Sequence, residues 1–108
     1  MTNKVIIRDR QTDEILAEGV LDQDVIVLEG TYYFDPRCVR LDKLTRTART
    51  YTCPYKGVSF WIDLDTEDGR IENVAWVYED VKQGYEHIRG HIGFYMRTMR
   101  GIKVETVS

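Results

Sequence analysis

Apolar residues along this chain come in short runs divided by turn-forming residues, a spacing that suits strands. The first two runs, KVIIRD from Lys4 and EILAEGV from Glu14, flank RQTD and predict a hairpin. DVIVLEG from Asp24 predicts a third strand that Gly30 breaks. TYYF from Thr31 predicts a fourth, ended by Pro36 because proline cannot donate to a strand ladder. The strongest sheet signal surrounds Gly69: Val58, Phe60, Ile62 and Leu64 alternate with Ser59, Trp61 and Asp63. DTEDG then turns the chain, and RIENVAWVYE runs back with Val74, Trp76 and Tyr78 on one face. From Arg37 to Thr52 the periodicity is poor, which predicts a loop with a short strand near Val39 to Leu41.

One segment has a different period. Val81, Tyr85, Ile88, Ile92, Tyr95 and Met99 are spaced by alternating fours and threes, which makes one apolar stripe on a helix. Asp80 followed by Gln83 resembles a capping box, and Arg97 and Arg100 with Gly101 suit a helix end. IKVETV then predicts a last short strand. The pattern as a whole predicts an α+β fold, mainly antiparallel β with one C-terminal helix, organised as a single domain over residues 1–108.

Composition agrees with a globular domain, since 43% of residues are hydrophobic and 31% charged. No apolar run approaches the roughly 18 residues that a membrane helix needs, and MTNKVIIRDR lacks the apolar stretch of a secretory leader. Two cysteines, Cys38 and Cys53, are too few for a disulfide scaffold or a four-cysteine zinc site. A cytoplasmic location is therefore expected, with no membrane partner. The net charge of −3 hides an asymmetry. Between Arg37 and Lys56 stand six basic residues and one acidic residue, so that segment carries +5 and the other 88 residues carry −8. A basic strip on an acidic body favours one small anionic ligand over general binding to nucleic acid. Thr45, Thr47, Thr50 and Thr52 lie among these charges, and hydroxyls with guanidinium groups suit phosphate. A solvated charged loop would have the same composition.

The segment CPYKG, Cys53 to Gly57, stands out locally. Pro54 keeps Cys53 out of the helical region, and Gly57 permits a turn or a close approach just before a strand begins. Lys56 is thereby presented at the mouth of a sheet. A turn holding a buried cysteine and a surface lysine accounts for the same residues.

Four elements resemble, in order and spacing, the bacterial domain-of-unknown-function family 427: YYF at Tyr32 to Phe34, CPYKG with Phe60 beyond it, NVAWVYED at Asn73 to Asp80, and IRGHIGFY at Ile88 to Tyr95. That family carries a nucleotidyltransferase-like label. The resemblance implies a compact domain of folded sheets with a terminal helix, similar to the Mss4 and methionine sulfoxide reductase B type. Residue by residue it carries over Tyr33, Cys53, Lys56, Trp76 and Tyr78, and implies that they line a pocket with Lys56 as its charge. Cys38 stands before Val39 where the family tends to have an aspartate, so no role for that acidic position carries over.

Particular chemistries can be set against these residues. Nucleotidyl transfer uses metal held by paired carboxylates. Asp63-Leu64-Asp65 is such a pair on one side of a predicted strand, and Asp65 opens an acidic turn of a kind that solvated carboxylates commonly occupy. A glycine-rich phosphate loop is missing, and so are paired Cys-x-x-Cys motifs. His87 and His91 lie four apart without the further ligands a metal needs, so no metal and no cofactor is expected. The function expected is a binding module for a small anionic or nucleotide-like ligand, lined by Tyr33, Trp76 and Tyr78 with Lys56 and Arg49 neutralising charge. The alternatives are an enzyme using Cys53 as a redox or nucleophilic thiol, activated by Lys56 or Arg49, and a nucleotidyltransferase as the family label suggests.

Overall fold

The computed structural model describes residues 3–108; Met1 and Thr2, part of the stretch read above for a leader, lie outside the described residues. Among the described residues nine strands form two sheets: β1 (Lys4–Asp9), β2 (Ile15–Val20), β3 (Val25–Leu28), β4 (Thr31–Phe34), β5 (Leu44–Cys53), β6 (Gly57–Thr66), β7 (Gly69–Val81), β8 (Ile92–Tyr95) and β9 (Ile102–Val107). The order is β2-β1-β9 in the smaller sheet and β3-β4-β8-β7-β6-β5 in the larger, with every strand pairing antiparallel. The predicted hairpins β1–β2 and β6–β7 are present, the predicted strands β3 and β4 pair with each other across Glu29 and Gly30, and the last strand pairs with β1.

The core lies between the two sheets. Val5, Ile7, Leu16, Ala17 and Ile102 from the smaller sheet pack with Phe34, Ile62, Leu64, Ala75, Val77 and Phe94 from the larger one, all of them buried. Phe34 and Phe94 meet edge to face at 5.7 Å between ring centroids, a favoured aromatic geometry. Burying a side chain of this size contributes about 1.5–3 kcal/mol, so this face holds the sheets together. The other face of the larger sheet lies outside this core and carries a second, smaller buried cluster of Tyr33, Cys53, Tyr78 and Ile88.

Two expectations are corrected. The predicted C-terminal helix is absent among the described residues: its stripe is divided among the end of β7, a 3-10 turn at Glu86–Ile88, β8 and the turn before β9. Glycine explains this. Gly84 has φ +97° and Gly90 φ +75°, left-handed values that a right-handed helix cannot contain, and Gly93 weakens the same segment further. Ile88 and Ile92 are buried as the stripe implied, but from a turn and a strand. The loop expected from Arg37 to Thr52 instead contains β5, ten residues long, at the edge of the larger sheet. Paired on one side only, β5 buries little and needs no apolar alternation. Its threonines, β-branched and suited to a pleated surface, are the strand signal there. Val39 makes only an isolated bridge to Ala17, and Leu41 begins a 3-10 turn, Leu41–Lys43.

Candidate functional site

Register places one row of residues across the free face of the larger sheet. Tyr33 of β4 pairs with Gly93 of β8, Gly93 with Trp76 of β7, and Trp76 with Trp61 of β6. Gly93 is the step that matters. A Cβ there would lie 2.6 Å from Trp76 Nε1 and 2.9 Å from Tyr33 Cε1, so only glycine lets the two rings meet above the strand. Trp76 Nε1 donates to Tyr33 Oη at 3.3 Å. Trp61 stands edge-on to Trp76 at 5.8 Å, and Tyr95 edge-on to Trp76 at 4.8 Å. In the adjacent row Tyr51, Ser59 and Tyr78 are successive partners. These residues wall a cavity of about 300 Å³, whose rim is completed by Glu29, Gly30, Thr31 and Lys56.

Local chemistry positions Lys56. The β5–β6 turn contains Pro54, Tyr55 and Lys56, and it closes on Gly57 at φ +124°, where a Cβ would lie 2.8 Å from the Asp80 carbonyl oxygen. Lys82 secures the turn, its Nζ donating to the Pro54 carbonyl at 2.8 Å and its amide to that of Lys56 at 2.9 Å. The Lys56 side chain is only 12% exposed, lies 5.9 Å from the Tyr85 ring centroid and pairs with Glu29 at 3.3 Å. Burial would lower its pKa, yet the Glu29 carboxylate, Cys53 and Tyr78 together raise it, so Lys56 is a cation at neutral pH. Burial pushes the Tyr78 phenol up to about 12, helped by neighbouring Tyr33, and raises Tyr33 too. Both phenols therefore stay neutral hydrogen-bond donors.

Cys53 lies under the same turn, packed with Tyr33, Tyr78 and Ile88 rather than along the cavity wall. Burial pushes its thiol pKa up, but the backbone N–H groups of Lys56 and Tyr55 and the Lys56 ammonium outweigh that effect, leaving it below the ordinary value.

The structure thus brings together four of the residues expected at the site, Tyr33, Lys56, Trp76 and Tyr78, and sets Cys53 beside them. Arg49 does not join them. It lies on β5 between Asp63, Glu72 and Asn73, and Asp63 is 2% exposed. The rest of the basic strip is matched as well: Arg37 with Asp35, Arg40 with Asp42, Lys43 with Glu14 and Arg46 with Glu79. The Asp63 and Asp65 carboxylates are likewise engaged, Asp65 by Thr45 at 2.7 Å and by Arg70 at 3.0 Å. Tyr51, Trp61, Tyr95 and Glu29 were not anticipated. A tryptophan at a position alternating with the apolar face of β6 was the available sign.

Over residues 7–105 the sequence matches the model of a domain of unknown function, DUF427. The chain belongs to the DUF427 family. Most of this DUF427 chain also superposes on a solved structure described as the Mis18 "Yippee-like" domain, with a TM-score of 0.66 over 97% of this chain and 96% of that one. At 9% identity the likeness shows a shared fold alone. No curated protein matches the sequence. Tyr33, Cys53, Lys56, Trp76 and Tyr78, the residues that matched the DUF427 pattern, thus cluster on one face of one sheet.

Proposed function

We propose that this chain is a binding module for a small anionic or nucleotide-like ligand, whose ring stacks against the aromatic walls and whose charge meets Lys56. The supporting observation is the convergence of Tyr33, Tyr51, Trp61, Trp76, Tyr78 and Tyr95 around one cavity with a largely buried ammonium beside them. Aromatic faces supply contact area, and a single well-placed charge supplies orientation. Lys56 is the one basic residue lining this cavity among the described residues. Both tryptophans of the chain line it, so binding reports on intrinsic fluorescence without a label.

The test is a screen of nucleotides and other small anions, read by melting temperature and tryptophan emission. Lys56→Ala is expected to leave the fold intact and weaken any hit by about 1.5–3 kcal/mol, roughly 10- to 150-fold, the contribution of a charged hydrogen bond. A panel without hits, or hits indifferent to Lys56→Ala, refutes the reading.

The lowered thiol pKa of Cys53 favours a second reading, an enzyme acting through that sulfur. Cys53→Ser separates the two. A packed thiol replaced by a hydroxyl lowers stability and leaves ligand affinity alone, whereas a nucleophile so replaced loses a detectable activity at unchanged melting temperature. The nucleotidyltransferase reading draws less support, because Asp63 and Asp65 are each already paired with an arginine. An aromatic-lined antiparallel sheet packed on a second sheet also supports placing the fold with the Mss4 and methionine sulfoxide reductase B type. Two free cysteines support a cytoplasmic location.

A further inference from the structure

The cavity's charges cancel. Its rim carries one cation, Lys56, and one anion, Glu29, and they face each other at 3.3 Å. The pair joins residues 27 apart in sequence, one on the β3–β4 turn and one on the β5–β6 turn, which stand at opposite ends of the six-stranded sheet. It therefore spans the cavity that Trp61 and Trp76 also line. Lys56 is anchored by its turn and 12% exposed, whereas the Glu29 side chain is 52% exposed and free to swing outward.

The backbone at Glu29 is a separate indication. Glu29 and Gly30 form a two-residue hairpin loop with φ +50° and +76°, in which both residues are left-handed. Asparagine, aspartate or glycine suit the first of these positions, and glutamate does not. A residue held against its backbone preference beside a pocket points to its side chain as the reason for its presence.

We propose that Glu29 sets the charge preference of the pocket: its carboxylate occupies Lys56, and an anionic group enters only by displacing it. This rests on the pocket reading above and makes Glu29 its specificity-determining residue. Uncharged rings meet the aromatic walls without disturbing the pair. A ligand's single anionic group takes the place of the Glu29 carboxylate at Lys56. Polyphosphates, with several charges to meet one ammonium and one carboxylate, are disfavoured.

Collisional quenching of Trp61 and Trp76 tests this without any bound ligand, using iodide as the anion and acrylamide as the neutral control at constant ionic strength. Glu29→Gln keeps side-chain size and removes the charge. It is expected to raise the iodide quenching constant about two- to threefold, the effect of one unit charge roughly 7 Å from a monovalent ion in water-like surroundings, with acrylamide unchanged. Adding Lys56→Met to that variant is expected to abolish the rise. An iodide constant equal to wild type overturns the proposal, as does a parallel rise for acrylamide, which would make Glu29 a steric cover. A failed ligand screen refutes the binding module and leaves this measurement standing, so the two failures are distinguishable.

Discussion

Gly93→Ala places one methyl group where Trp76 and Tyr33 now meet, and its outcome depends on two opposed effects. In an ordinary strand the change removes freedom from the unfolded chain and stabilises by about 0.4–1 kcal/mol. Gly93 is not at a left-handed φ, so the backbone raises no objection. Contact geometry does. The new Cβ would stand 2.6 Å from Trp76 Nε1, 2.9 Å from Trp76 Cε2 and 2.9 Å from Tyr33 Cε1, so both rings must retreat by roughly 0.5–0.8 Å to reach ordinary contact. Neither ring has easy room, because Tyr33 is 1% exposed and Trp76 is flanked by Trp61 and Tyr95. Overpacking of this kind costs about 1–3 kcal/mol, and losing the Trp76 to Tyr33 hydrogen bond adds about 1 kcal/mol. The steric effect wins. A net loss of about 1–3.5 kcal/mol is expected, roughly 5–20 °C in melting temperature for a domain of this size. Urea denaturation measures the loss, and near-ultraviolet circular dichroism should show the displaced indole. The same substitution made in a Trp76→Leu background should cost less than it does in the wild-type chain, since two of the three close contacts are then gone. An unchanged urea midpoint and an unchanged aromatic spectrum for Gly93→Ala would refute the reasoning that glycine at this step builds the pocket floor.

Ile88, 0% exposed in the cluster beneath the pocket, is expected to lose about 2–5 kcal/mol on Ile88→Ala by urea denaturation; an unchanged midpoint would mean that this turn is not packed. Absorbance titration near 295 nm should show a phenol ionising at about 12 that Tyr78→Phe removes. Because that folded pKa is raised above the ordinary tyrosine value of 10.0, the stability linked to Tyr78 is complete below pH 10 and is lost as pH rises towards 12. Tyr78→Phe should flatten that part of the stability profile, and an unaltered profile would place the titration elsewhere.

The short strands and two hairpins were legible from the sequence because alternation and turn chemistry are local. A residue's face on a strand follows from its neighbours two positions away, and RQTD and DTEDG mark their turns with residues suited to them. Tyr33, Lys56, Trp76 and Tyr78 were legible as a set through the family resemblance. That they surround one cavity was decided by register, which pairs β4 with β8, far apart in the chain, and sets β8 beside β7 and β6. The false helix shows the limit of periodicity. Spacings of four and three described which residues would be buried, but burial at Ile88 and Ile92 is compatible with a turn followed by a strand, and Gly84 before them and Gly90 between them decide the backbone. The β5 strand was hidden for the opposite reason, since an edge strand with few buried side chains leaves no apolar pattern. Charge was least legible. The composition of the Arg37 to Lys56 segment suggested a free cationic surface, yet each of its six basic residues meets a carboxylate, most from other parts of the chain. Local sequence determines which residues can face one side of a strand. Which charges remain unmatched, and which rings share a wall, depend on contacts between distant segments that only the folded sheets bring within a few ångströms.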